Sequence, residues 1–217
     1  MPVTRGLICD LDGTLLNNEW VHVLAWEEEL LLHGVKIAAG WDAQYVGHPD
    51  RDLAKLLVEA YPVLPAAEDL LAKRNQRYRE LLVEKRQGVI FPGVAEVLAE
   101  LRELGVLTAI GSNSPMENCL AALEVAGLAD YFPVIVAHGM AAAPKPAPDI
   151  YCEATRRLDL PPAECAVVED TGLGVAAGKA AGCLTLAVLT TSTPERLAGA
   201  DRVFPTTAAA LEWVARG

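Results

Sequence analysis

No apolar run of this chain approaches the ~20 residues that a membrane-spanning helix needs. The short stretch around Leu7-Ile8-Cys9 is also too brief for the apolar core of a secretory signal. Basic residues are scarce: 18 Lys and Arg stand against 29 Asp and Glu, a formal net charge of −11. Such a surface repels nucleic acid and anionic membranes, so an anionic ligand needs a local basic site to bind. The five cysteines, Cys9, Cys119, Cys152, Cys165 and Cys183, are odd in number and carry no metal-knuckle spacing. They read as thiols in a reducing cytoplasm. There is no internal repeat and no low-complexity segment. With 52% hydrophobic residues, the chain has enough to bury a core, which excludes disorder.

What is present is a recurring pattern. A short apolar run over residues 6–9 ends at acids, and similar runs occupy 106–110, 134–137, 166–168 and 184–189. Helical patterns fill 94–104, 116–126, 148–158 and 174–181 between them, and a covering helix fits 207–216. Alternation of this kind predicts an α/β fold, a doubly wound parallel sheet with helices on both faces. Ligands of such sheets bind at the carboxyl ends of the strands. From 16 to 87 the rhythm breaks into helix-type patterns with interruptions at Gly34, Gly40, Gly47-His48-Pro49 and Tyr61-Pro62. We therefore expect a catalytic core of residues 1–15 and 88–217, with a helical cap of residues 16–87 inserted as a lid.

Polar residues gather where the apolar runs end. In Asp10-Leu11-Asp12-Gly13-Thr14 two carboxylates lie two residues apart, so on extended backbone both can face one side. Crowding raises one carboxyl's pKa and suits an ionised nucleophile beside a protonated acid. A solvated Asp-Gly turn is the alternative. Glu169-Asp170 adds two more acids at the same expected edge, and four converging oxygen donors suit Mg2+. Asp170 or Thr171 can also cap the helix that follows. Ser112, followed by Asn113, precedes a helix and offers a hydroxyl and backbone N–H groups to phosphate. Lys145, stiffened by Pro144 and Pro146, supplies a directed positive charge.

These motifs, in this order, resemble those of the haloacid dehalogenase superfamily, in its helical-cap phosphatase and phosphomutase branch. Asp10-x-Asp12-Gly13-Thr14 is similar to its first motif, Ser112 to its second, Lys145 to its third and Glu169-Asp170 to its fourth. Residues 18–26, with His22 and Trp26, resemble the first cap helix of the β-phosphoglucomutase-like subgroup, and residues 73–78 match a further stretch. Two departures stand out: Asn17-Asn18 replaces an Asp-Ser or Asp-Thr pair, and the loop before Arg51 is one residue longer.

The resemblance implies a phosphoric monoester hydrolase acting on a small phosphate ester, a sugar or polyol phosphate first. Asp10 is the implied nucleophile and Asp12 the acid and base. Mg2+ is held by Asp10, Asp170, the backbone carbonyl of Asp12, and Glu169 directly or through water. Ser112, Asn113 and Lys145 take the phosphate, and Thr14 fits a hydrolytic outcome. His22, Arg51, Arg74 and Asn75 are the cap-side candidates for substrate, whereas Trp26 reads as cap packing. A phosphosugar mutase using the same nucleophile is the alternative; a dehalogenase is disfavoured by Asp12. The stretch Gly172-x-Gly174-x-x-Ala177 matches a dinucleotide fingerprint, but two acids precede it and its glycines read as helix–sheet packing.

Overall fold

The computed structural model describes residues 4–37, 41 and 50–217. The expected breaks at Gly40 and Gly47-His48-Pro49 lie outside the described residues. The chain divides into two compact units, residues 1–17 with 88–217 and residues 18–87.

In the first unit, six strands form one parallel sheet in the order β3-β2-β1-β4-β5-β6. They are β1 (Gly6–Cys9), β2 (Leu107–Gly111), β3 (Val134–Val136), β4 (Cys165–Glu169), β5 (Leu184–Val188) and β6 (Arg202–Phe204). β1 is central and wholly buried, with Ile8 opposite Ala109 on one side and Val167 on the other. Both faces are covered, so these strands are continuous apolar runs and not alternating ones. On one face Ile8, Ala109, Val136 and Val167 pack with Tyr151, Ala154 and Leu158 of α6 (Asp149–Leu158) and with Ala177 of α7 (Gly172–Ala180). Leu7 and Cys9 turn to the opposite face, as strand alternation requires. There α8 (Thr207–Ala215) packs on β4 and β5 and against α4 (Val94–Glu103). The remaining α-helix among the described residues of this unit is α5 (Met116–Ala126).

Three details differ from the sequence expectation. β6 is only three residues long and mostly exposed, so it makes no apolar run; Arg202 over the Trp213 ring at 4.9 Å ties it to α8. α7 begins at Gly172, because the Thr171 hydroxyl accepts the Gly174 N–H at 3.1 Å and caps the first turn. Leu16 and Asn17 belong with the sheet unit: Leu16 bridges to Ile90, and Asn17 N–H donates to Val89 O at 2.7 Å.

Among the described residues, the α-helices of the second unit are α1 (Glu19–Leu32), α2 (Asp50–Ala60) and α3 (Ala67–Glu84), with α3 packing on both others. Its core joins Trp26, Leu30, Leu53, Leu57 and Leu70. Among the described residues, no helix is long and apolar enough to cross a membrane.

Candidate active site

The strand order reverses at β1: β2 and β3 run out on one side, β4 to β6 on the other. In open α/β sheets ligands bind outside the carboxyl ends of the strands at such a switch point, here the ends of β1 and β4. Asp10 follows β1 and donates its N–H to Val168 O of β4 at 3.0 Å, which places it level with Glu169 and Asp170. The chain then turns back on itself, with Gly13 N–H to Leu16 O at 2.8 Å and Leu15 N–H to Leu11 O at 3.0 Å. Gly13 sits at φ +75°, and a Cβ there would lie 2.5 Å from Asp170 Oδ2, so both conformation and space demand glycine.

Asp10, Glu169 and Asp170 are buried, and one carboxylate oxygen from each falls within 4.8 Å of the others. Their charge is answered by Lys145, whose Nζ lies 2.5 Å from both Asp10 Oδ1 and Glu169 Oε1. The Thr14 hydroxyl is 2.6 Å from Asp170 Oδ1 and 3.5 Å from Asp10 Oδ2. Burial pushes the Asp10 carboxyl well above its ordinary value; Lys145 opposes this, while Glu169 and Asp170 add to it. Burial alone would lower the Lys145 ammonium, but the attraction of Asp10 and Glu169 prevails and raises it. Lys145 is thus a fixed cation.

The loop after β2 supplies the next groups. Ser112, almost fully buried, donates its N–H to Val136 O at 3.0 Å, and its Oγ accepts the Ser114 N–H at 3.0 Å. Ser114 Oγ donates to Asp12 Oδ2 at 2.6 Å, which joins this loop to the first motif. Asn113 Oδ1 accepts the Lys145 N–H at 3.1 Å and so pins the backbone of the lysine loop.

In the helical unit the expected candidates fall into two places. Arg74 is buried, with Nη1 2.8 Å from Asp50 Oδ2 and 3.0 Å from Asn75 Oδ1, and Nη2 2.7 Å from His22 Nδ1. His22 stacks on Tyr78 at 4.0 Å between centroids, and Trp26 Nε1 donates to Asp50 Oδ1 at 3.1 Å. His22, Arg74 and Asn75 are therefore one cluster, neutralised in part by Asp50. Arg51 is outside it: its exposed side chain reaches Glu68 at 3.8 Å.

Sequence reasoning gave no role to Tyr151, Thr191 or Ser114. Tyr151 OH donates to Glu169 Oε1 at 2.6 Å, and Thr191 Oγ1 donates to Asp170 Oδ2. The neighbouring Thr190 hydroxyl donates to Gly13 O at 2.5 Å. The Thr190-Thr191 pair closes an apolar run as Asp10 and Glu169-Asp170 do, and that is its available signal. An aromatic on a buried helix face, such as Tyr151, has none.

A Cβ at Gly174 would lie 1.8 Å from the Glu169 carboxylate. That acid fills the space beside the glycine, where a dinucleotide's pyrophosphate would have to sit. Gly178 approaches Thr185 and Val167, so this glycine serves close helix–sheet packing.

Oxygen-only donors, buried and convergent, suit a hard divalent cation such as Mg2+. Asp10, Glu169 and Asp170 are the group that could hold one, and the Thr14 hydroxyl bridges Asp10 and Asp170.

A sequence model described as haloacid dehalogenase-like hydrolase matches residues 4–182. The chain is similar to protein CbbY of Rhodobacter capsulatus, 31% identical over 193 residues, which is 82% of each chain. It is similar to fructose-1-phosphate phosphatase YqaB of Escherichia coli K12, 30% identical over 177 residues, 82% of this chain and 92% of that one. Among solved structures, CbbY from Rhodobacter sphaeroides in complex with phosphate superposes with a TM-score of 0.86 at 27% identity, covering 96% of this chain and 99% of that one.

Proposed function

The chain belongs to the haloacid dehalogenase-like hydrolase family, as a phosphatase of that family, and from that premise we propose that it hydrolyses a small phosphomonoester, a sugar or polyol phosphate, through phosphoryl transfer to Asp10. The carrying observation is the buried cluster of Asp10, Glu169 and Asp170 with Lys145 at 2.5 Å from Asp10. A surface with no reason to bind a metal and a phosphate does not bury three carboxylates together. Fructose-1-phosphate phosphatase, among the relatives, supports a sugar phosphate as the first substrate class.

Asp10 attacks phosphorus, and the ester bond breaks as Asp12 gives its proton to the departing oxygen. Water then attacks the aspartyl phosphate, with Asp12 taking the proton and inorganic phosphate leaving. Lys145 and Ser112 hold the phosphate oxygens that are not reacting, while the Lys145 charge also opposes the rise that burial imposes on the Asp10 carboxyl. Asp10, Asp170 and the Asp12 backbone carbonyl would hold Mg2+, which when bound supplies charge neutralisation and in-line orientation of the phosphoryl group. Ser114 holds the Asp12 carboxylate at the site's edge. Asn113 fixes Lys145 through its backbone. His22, Arg51, Arg74 and Asn75 are the candidates for selecting the organic part of the ester, a role read from the family resemblance.

The test is a panel of sugar, polyol and nucleoside phosphates incubated with Mg2+, with assay of free phosphate and of isomerised sugar. Phosphate release that EDTA abolishes is the expected result. Isomerised product without phosphate would instead make the protein a mutase, and inertness toward every ester at saturating Mg2+ would overturn the reading.

A further inference from the structure

Glu169 stands next to Asp170, and a metal ligand is the simplest role for it. Its hydrogen bonds say otherwise. Oε1 accepts from Lys145 Nζ at 2.5 Å and from Tyr151 OH at 2.6 Å. Oε2 accepts from Asp170 N–H at 3.1 Å, Thr171 N–H at 3.2 Å and Thr171 Oγ1 at 3.0 Å. A carboxylate offers about four lone-pair sites, and these five donors fill them. No lone pair remains for a cation unless a donor is given up.

Tyr151 is the donor that makes this arrangement specific. It is fully buried, and Glu169 is its hydroxyl's partner among the described residues. Burial, reinforced by the charges of Glu169 and Asp10, pushes the phenol well above its ordinary value, so it stays a donor. The Lys145 ammonium also lies 5.0 Å from the Tyr151 ring centroid, within cation–π range. The ring in turn rests on Gly111, where a Cβ would come within 2.9 Å of it. One side chain on α6 therefore touches the end of β2, the lysine and the end of β4.

We propose that Tyr151 is a positioning residue that reserves Glu169 for Lys145, so that Glu169 orients the phosphate-binding ammonium and stands outside the metal's ligand set. The inference rests on the phosphatase reading above, in which Lys145 holds phosphate and Asp10 with Asp170 holds Mg2+. Outer partners of this kind fix ligand geometry without touching the ligand. Removal of the Tyr151 hydroxyl therefore loosens Lys145 and leaves the Asp10–Asp170 pair intact.

Calorimetry on the full chain tests this with two probes, Mg2+ alone and inorganic phosphate at saturating Mg2+. In Tyr151→Phe, which keeps the ring and its contact with Gly111, the phosphate Kd should rise by about tenfold, the order expected when a buried hydrogen bond to a charged group is lost. The Mg2+ Kd should stay within about twofold of wild type, and kcat should fall more than KM rises if the loosened lysine matters most in the transition state. Glu169→Gln offers a second, independent reading: weaker phosphate binding with near-normal Mg2+ binding. Unchanged phosphate affinity in Tyr151→Phe overturns the inference alone, as does a large loss of Mg2+ affinity in Glu169→Gln. A wild-type chain that binds neither probe overturns the functional reading and the inference with it.

Discussion

The Lys145 ammonium lies 2.5 Å from the Asp10 carboxylate, and neither residue is more than 8% exposed. A buried pair of this kind stabilises little by itself, but its disruption leaves an uncompensated charge. Here the loss of Lys145 would strand both Asp10 and Glu169. Lys145→Ala should therefore destabilise the metal-free protein by about 3–5 kcal/mol. Because Mg2+ answers part of the same charge, the deficit should be smaller in Mg2+ than in EDTA. Urea unfolding under the two conditions measures it, and an equal deficit in both would separate the lysine from the metal site.

Thr191 and Thr14 hold opposite oxygens of Asp170, Thr14 from the loop after β1 and Thr191 from the loop after β5. Hydroxyl donors on a ligating carboxylate fix its orientation. Thr191→Val, close in shape but without the donor, should weaken Mg2+ binding by about tenfold, and Thr191→Ser should restore it. Direct calorimetric titration with Mg2+ checks both. A valine variant with wild-type affinity would reduce Thr191 to a bystander.

Asp201 ties α7 to the start of β5. Its carboxylate is 2.5 Å from Lys179 Nζ and accepts the Thr185 N–H at 2.8 Å. Burial pulls its carboxyl upward, but the hydrogen bonds from Lys179 and Thr185 outweigh it and hold the group below its ordinary 3.8. A depressed folded pKa contributes stability that is present above the unfolded value and lost as pH falls through the folded one. Wild type should exceed Asp201→Asn in stability at roughly neutral pH, and the gap should narrow as pH drops below the ordinary carboxylate range. Urea midpoints across that range give the slope. A gap that widens in acid would reverse the assignment.

The central strands and the acids that end them were legible from local pattern. β1 and β4 are buried on both faces, so their apolar runs are unbroken and the first polar residue marks the sheet edge. Asp10, Glu169 and Asp170 then meet because β1 and β4 are neighbours, and the doubly wound topology puts them there. β6 escaped because an exposed three-residue edge strand has no apolar run to show. Tyr151 and Thr191 escaped for a different reason. Each acts through a contact made only after folding, Tyr151 from α6 to β4 and Thr191 from the loop after β5 to the residue after β4. In sequence one is a buried aromatic and the other one threonine among several. Leu16 was drawn to the sheet unit by its bridge to Ile90, a pairing with no local signature.

Phosphoryl transfer to the carboxylate of Asp10 is most directly tested by turnover of Asp10→Asn on the best ester at saturating Mg2+. An amide cannot replace the carboxylate as nucleophile. The variant should fold as wild type by circular dichroism and release phosphate at least about 10³-fold more slowly. A folded Asp10→Asn protein that turns over at the wild-type rate would contradict the account.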